Sequence, residues 1–99
     1  MRIVDFRTLK EFWESPKYAD SESSLRSWYH DVKNAKWKNS NELKQQYRSA
    51  SVVGEGKVIF KIEGNVYRLV VLIDYESQVI FIRFIGTHEQ YDRINSKTI

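Results

Sequence analysis

Lys57 to Asp92 reads KVIFKIEGNVYRLVVLIDYESQVIFIRFIGTHEQYD. It divides into three strands joined by two tight hairpins and running into a short helix. The strands are strongly apolar, yet Lys61, Arg68 and Arg83 lie inside them. A charge inside an apolar strand needs a reason, because burying it unpaired costs several kcal/mol or more.

The pairing follows from the turns. Glu63-Gly64-Asn65-Val66 reads as a two-residue hairpin turn, with Gly64 supplying the positive φ that primed turns require. Glu63 then faces Val66, and counting back puts Lys61 opposite Arg68. Tyr75-Glu76-Ser77-Gln78 is a weaker turn signal. Closed as a two-residue or a four-residue loop, it predicts Arg68 opposite Ile85 and Val70 opposite Arg83. Alternate residues share a face, so Lys61, Arg68 and Arg83 gather on one face at one end of the sheet. Directly opposed like charges destabilise a sheet, and such a cluster makes sense if a phosphate comes to sit in it. The chain leaves that end through Gly86. Thr87 and Gln90 have capping-box spacing, so a helix starts at His88 and carries His88, Tyr91 and Asp92 on one side. An imidazole and a phenol beside clustered cations suit gripping or cutting a phosphodiester.

The rest of the chain is read outward from this stretch. Met1 to Phe6 alternates as a short strand that could pair at the sheet edge. Thr8 and Glu11 predict a capped helix from Leu9 to Ser15, ended by Pro16. Asp20 or Ser21 caps a second helix, whose Leu25, Trp28, Tyr29 and Val32 recur at i, i+3, i+4, i+7 and form a core stripe, with His30 off it and exposed. Asn39 and Glu42 cap a third, from Ser40 to Tyr47. Ser49 to Gly56 reads as loop, with an extended piece at Val52-Val53, and the polar tail after Ile94 should fray. Tyr67, Leu69, Val71 and Ile73 line one face of the middle strand and Val70 and Leu72 the other, which marks it as central. The predicted fold class is α+β: an antiparallel sheet, N-terminal helices packed on one face, a short C-terminal helix, and an opposite face left partly open near its charged end.

Ninety-nine residues make one domain, 1–99, and 41% hydrophobic with 14% aromatic residues is enough for a core. The absence of cysteine excludes disulfides and thiolate metal sites. No signal-peptide core or membrane-length apolar run occurs, so a cytoplasmic protein with no membrane contact is expected. Two distant histidines argue against structural zinc, and no phosphate loop, HExxH or Ser-His-Asp signature is present, so no metal or cofactor is expected. A net charge of +3 says little about partners; its distribution says more. Lys33, Lys36, Lys38, Lys44 and Arg48 stand against Glu42 alone, with Trp37 and Tyr47 interleaved. With Lys57, the cations Lys36, Lys38, Lys44 and Arg48 could line an RNA path; a solvated helix face is the plainer alternative.

Phe60 with Gly64-Asn65-x-Tyr67-Arg68, then Arg83 through Gly86-Thr87-His88 to Tyr91-Asp92, with Trp37 and Leu43-Lys44 upstream, resembles HigB-type toxins of bacterial toxin-antitoxin pairs, in the RelE-like superfamily. The resemblance covers about two thirds of the chain well. It implies a metal-independent endoribonuclease that cuts mRNA, in many relatives on the ribosome, and is neutralised by a helix-turn-helix antitoxin of HigA type. It assigns Arg68 and Arg83 to phosphate binding and His88 and Tyr91 to the active-site region; Lys61 joins them through its place opposite Arg68. Other readings stay open. His88 could simply start a helix, and Arg68 and Arg83 could pair with Asp74 or Glu63. The protein could be a non-catalytic RNA or partner binder, or a gyrase-poisoning toxin on the same fold.

Overall fold

The computed structural model describes residues 1–54 and 56–94; the tail expected to fray lies outside them. In chain order the elements are β1 (Arg2–Val4), α1 (Phe6–Glu14), a 3₁₀ turn (Pro16–Ser21), α2 (Glu22–Lys33), α3 (Ser40–Gln46), β2 (Ser51–Val52), β3 (Lys57–Ile62), β4 (Tyr67–Asp74), β5 (Val79–Thr87) and α4 (His88–Arg93). The strands form one five-stranded sheet in the order β1-β5-β4-β3-β2. The three long strands are antiparallel neighbours, β2 extends β3 antiparallel, and β1 lies parallel to β5 with Ile3 beside Ile80. The sheet is therefore mixed: its body is antiparallel and one edge is parallel. β4 is central, as its two apolar faces require, and Leu69, Val70 and Val71 are all buried.

One face of the sheet carries the helices. Val58 and Phe60 of β3, Leu69, Val71 and Ile73 of β4, and Ile80 and Ile82 of β5 join Leu9 and Trp13 of α1, Leu25, Trp28 and Val32 of α2 and Leu43 of α3 in one core. Phe60 lies edge-on to Trp28 from α2 and to Tyr47 after α3, with centroids 5.4 and 5.1 Å apart. Helices on both sides of the Pro16–Ser21 turn thus pack on the same side. The other face, away from α1, α2 and α3, carries Ile59, Lys61, Arg68, Val70 and Phe84, of which Ile59, Arg68 and Val70 are buried.

The structure changes several local expectations. α1 starts at Phe6 behind Asp5, which sits in the left-handed region (φ 72°), and it has no side-chain cap, so the Thr8–Glu11 spacing is not a capping box. Ser21 precedes α2, but its hydroxyl donates back to the Tyr18 carbonyl instead of capping. Asn39 caps α3 by accepting from the Glu42 N–H at 3.0 Å, while Glu42 accepts from the Lys38 N–H. The first hairpin closes with Val66 N–H donating to the Glu63 carbonyl at 3.2 Å; Gly64 has φ 65°, and Glu63 is left-handed as well at φ 53°.

The β3–β4 register puts Lys61 opposite Arg68, as counted. The β4–β5 register follows the count only as far as Val71↔Ile82. A bulge then shifts it, so that Val70 faces Phe84 and Arg68 faces Gly86, not Arg83 and Ile85. The cause lies in the spacing of the isoleucines. Ile80, Ile82 and Ile85 can reach one core only if a residue between the last two is slipped. Arg83, exposed, is the residue that the bulge leaves unpaired.

Candidate active site

At the β3–β4 hairpin end of the face away from α1, α2 and α3, Arg68 is buried, with 8% of its surface exposed. Its Nη1 donates to the carbonyls of Asn65 at 3.0 Å and Tyr67 at 3.4 Å, so the guanidinium folds onto the turn that precedes it. Among the described residues it has no carboxylate partner. The two acids that could have neutralised it are engaged elsewhere. Asp74 lies at the other hairpin end, where the backbone N–H of Ser77 holds its carboxyl below the usual range. Glu63 accepts from the Ser24 hydroxyl. Lys61 is exposed beside Arg68 on β3. Arg83 stands at the bulge, three residues before Gly86, exposed and without an ion pair among the described residues. Phe84 reaches back over Gly86: a Cβ at Gly86 would stand 2.6 Å from the Phe84 Cζ and 2.6 Å from the Gln90 Oε1.

The chain then turns through a complete capping box. The Thr87 Oγ1 accepts from the Gln90 N–H at 3.1 Å, and the Gln90 Oε1 accepts from the Thr87 N–H at 2.9 Å. Two orphan donors of the helix start are thereby satisfied, which fixes where His88 begins. His88 and Asp92 are one turn apart, with Nδ1 3.0 Å from Oδ2 and both side chains about half exposed (53% and 58%). A proton on Nδ1 shared with Asp92 leaves Nε2 as the free ring nitrogen. Tyr91 is half-buried on the same helix. The Gln90 Nε2 also donates to the Tyr18 hydroxyl at 3.1 Å, tying α4 to the 3₁₀ turn. Sequence reading put His88 and Asp92 on one side of the helix without pairing them, and Tyr18 left no local signal.

The remaining basic residues lie elsewhere. Lys36 and Lys38 line a cleft of about 620 Å³ with Lys33, Tyr75 and Gln78, beside the Tyr75–Gln78 turn at the opposite end of the sheet. The Lys44 ammonium donates to the carbonyls of Arg48 at 2.8 Å and Ala50 at 2.6 Å, bracing the loop into β2. Arg48 is exposed, and Lys57 starts β3 on the face away from α1, α2 and α3. The cations selected from the sequence, together with His88 and Tyr91, therefore do not form one cluster: Lys61, Arg68, His88 and Tyr91 belong to the hairpin end, with Arg83 further along β5. Among the described residues no group of His, Cys, Asp and Glu is placed to hold a metal ion, and no helix is long and apolar enough to cross a membrane.

Helices on one face of an α+β sheet, with a short helix after the last strand, match the arrangement read from the sequence, to which β1 adds a parallel edge. Residues 21–94 match the HigB toxin family, described as the RelE-like toxic component of a toxin-antitoxin system, and the chain belongs to that family. The mRNA interferase toxin HigB of Escherichia coli (strain K12) is 27% identical over 94 residues, 93% of this chain and 88% of that protein. The proteins named mRNA interferase HigB of Escherichia coli O157:H7 and of Shigella flexneri are similar to the same extent.

Proposed function

We propose that this toxin is a metal-independent endoribonuclease that cuts mRNA on the ribosome, acts in the cytoplasm as one domain over residues 1–99, and is held in check by a helix-turn-helix antitoxin of HigA type. Relatives named as mRNA interferases support the reading. The observation that carries it is the hairpin end itself: an arginine without a carboxylate partner among the described residues, opposite Lys61 and paired with Gly86, two residues before an imidazole whose Nδ1 is engaged by Asp92.

The 2′-hydroxyl of one nucleotide attacks its own 3′-phosphate, and the bond from phosphorus to the 5′-oxygen of the next nucleotide breaks. The Nε2 of His88 takes the hydroxyl proton. Arg68 uses only Nη1 in its contacts with the turn, and among the described residues its other N–H groups are left for the phosphoryl oxygens. With Lys61 and Arg83 it stabilises the charge that develops there. Tyr91 orients the nucleotide or passes a proton to the departing 5′-oxygen. Lys36 and Lys38, at the far end, grip RNA without touching the reaction, with Arg48 and Lys57 along the flank and Lys44 holding the loop that carries Arg48.

The test is single-turnover cleavage of ribosome-bound mRNA in excess chelator, alongside transcript levels on induction in cells. Site-specific cuts that persist in chelator are expected. DNA damage with transcripts intact would move the gyrase-poisoning reading ahead, and neither effect would leave a binder.

A further inference from the structure

A cleft of about 460 Å³ opens on the helix side of the same hairpin end. Lys17 and Tyr18 of the 3₁₀ turn form one wall, Val66 at the hairpin tip forms the lip, and His88, Gln90 and Arg93 of α4 form the other wall. The volume suits one nucleotide. The pairs Tyr67↔Thr87 and Arg68↔Gly86 are adjacent rungs whose side chains point to opposite faces. The cleft and the Arg68 guanidinium therefore flank one sheet end from two sides, and His88, which follows directly on Thr87, stands where they meet.

Three features make the cleft a receptacle for a nucleotide. The Tyr18 wall is held from both sides: its ring stacks on Phe12 at 4.3 Å and 6°, and its hydroxyl accepts from Gln90. Pre-set walls lower the ordering cost of binding. Val66 leaves half of its apolar surface in solvent at the lip, where a base would cover it. Lys17 and Arg93 face the space from opposite walls with no carboxylate partner among the described residues, although the Lys17 ammonium lies 5.8 Å from the Tyr18 ring centre. Glu89 is the one acid in the lining, and it drives a bound phosphate toward those two cations.

We propose that this cleft seats the nucleotide that carries the attacking 2′-hydroxyl, with its 5′-phosphate between Lys17 and Arg93 and its ribose at His88. The assignment rests on the nuclease reading above and adds a path to it: the RNA crosses the hairpin end from the cleft to the cationic face.

The test pairs a protein change with a substrate change. Ribosome-bound mRNA carries a charge-neutral methylphosphonate at the phosphate 5′ to the attacking nucleotide, and the protein is wild type or the double variant Lys17→Ala with Arg93→Ala. Thermal melting confirms that the variant folds. Wild type should lose about tenfold in kcat/KM on the neutral linkage, the size of one charge-assisted hydrogen bond. The variant should start about tenfold lower on native mRNA and lose no more on the neutral linkage. Losses that multiply, or a wild type indifferent to the neutral linkage, overturn the cleft assignment while leaving the nuclease intact. A wild type that cuts neither RNA overturns the nuclease reading, and the assignment falls with it.

Discussion

Arg68 and Arg83 look equivalent as cations in the sequence, and their surroundings separate them. Arg68 is buried and hydrogen-bonded to the turn, whereas Arg83 is a bulge residue in solvent. Arg68→Ala should lower cleavage by roughly 10²–10³ and also cost about 1 kcal/mol as its hydrogen bond to Asn65 disappears, a fall of about 4–8 °C in Tm for a domain of this size. Crowding with Lys61 alone would have argued for a firmer fold on removal; the hydrogen bonds to the turn carbonyls reverse that sign. Arg83→Ala should weaken cleavage while leaving stability within about 0.5 kcal/mol. Single-turnover rates and melting curves for both variants check the contrast, and equal melting shifts would refute it. His88→Ala should cost roughly 10²–10⁴ in rate, with little effect on melting because the imidazole is half exposed.

Among the elements, α4 is the one on which the proposed site depends, and its start is set by a few atoms. Thr87→Ala removes the cap and should cost about 1 kcal/mol. The loss should appear as faster amide exchange confined to α4 and a slower cut, since His88 loses its fixed origin. Gly86→Ala should cost about 1–3 kcal/mol, because the new methyl displaces the Phe84 ring and the Gln90 carboxamide together. An alanine there that melts like wild type would show that Phe84 can move aside freely. Thr87 and Gln90 were legible in the sequence because a capping box joins residues three apart. The same spacing at Thr8 and Glu11 misled, because the backbone of Asp5 had already started the helix one turn earlier. The Lys61–Arg68 pairing was legible since it lies close to its turn. The β4–β5 pairing was not, beyond Val71, because counting from a turn assumes no slipped residue, and the need of Ile85 for the core introduces one.

Over the whole molecule, the two ends of the sheet should respond differently to salt. Lys36→Ala and Lys38→Ala should weaken ribosome binding and lower the slope of log K against log salt by about 1 for each phosphate no longer neutralised, with the cutting step unchanged. A rate loss at saturating ribosome would bring those lysines into the chemistry. Alkali probes the core. Burial, followed by the hydrogen bond to Asp20, pushes the Tyr67 hydroxyl up to about 12, from an ordinary value of 10.0. The folded state keeps this proton longer than the unfolded chain, so the stability it lends is complete below pH 10 and disappears as pH climbs toward 12. Tyr47, near Asp31, and Tyr75 are raised in the same direction. Melting temperature should therefore fall across that window, and less steeply for Tyr67→Phe. The layered α+β arrangement was legible as a whole because hydrophobic periodicity reports which faces are buried. The burial of Arg68 was not, since it depends on the turn carbonyls folding back to meet it.

The parallel edge also bears on how the chain is made. Arg2–Val4 seat against Val79–Phe81, so the first strand synthesised waits for the last. A ribosome must translate through β5 before β1 has a neighbour to bond, and His88 and Tyr91 emerge only after that. Such distant pairing slows folding and leaves little to be gained from partial chains. A nascent toxin should therefore be harmless until β5 and α4 have been made, then become competent abruptly. A cell that makes the antitoxin first holds the inhibitor ready at that moment.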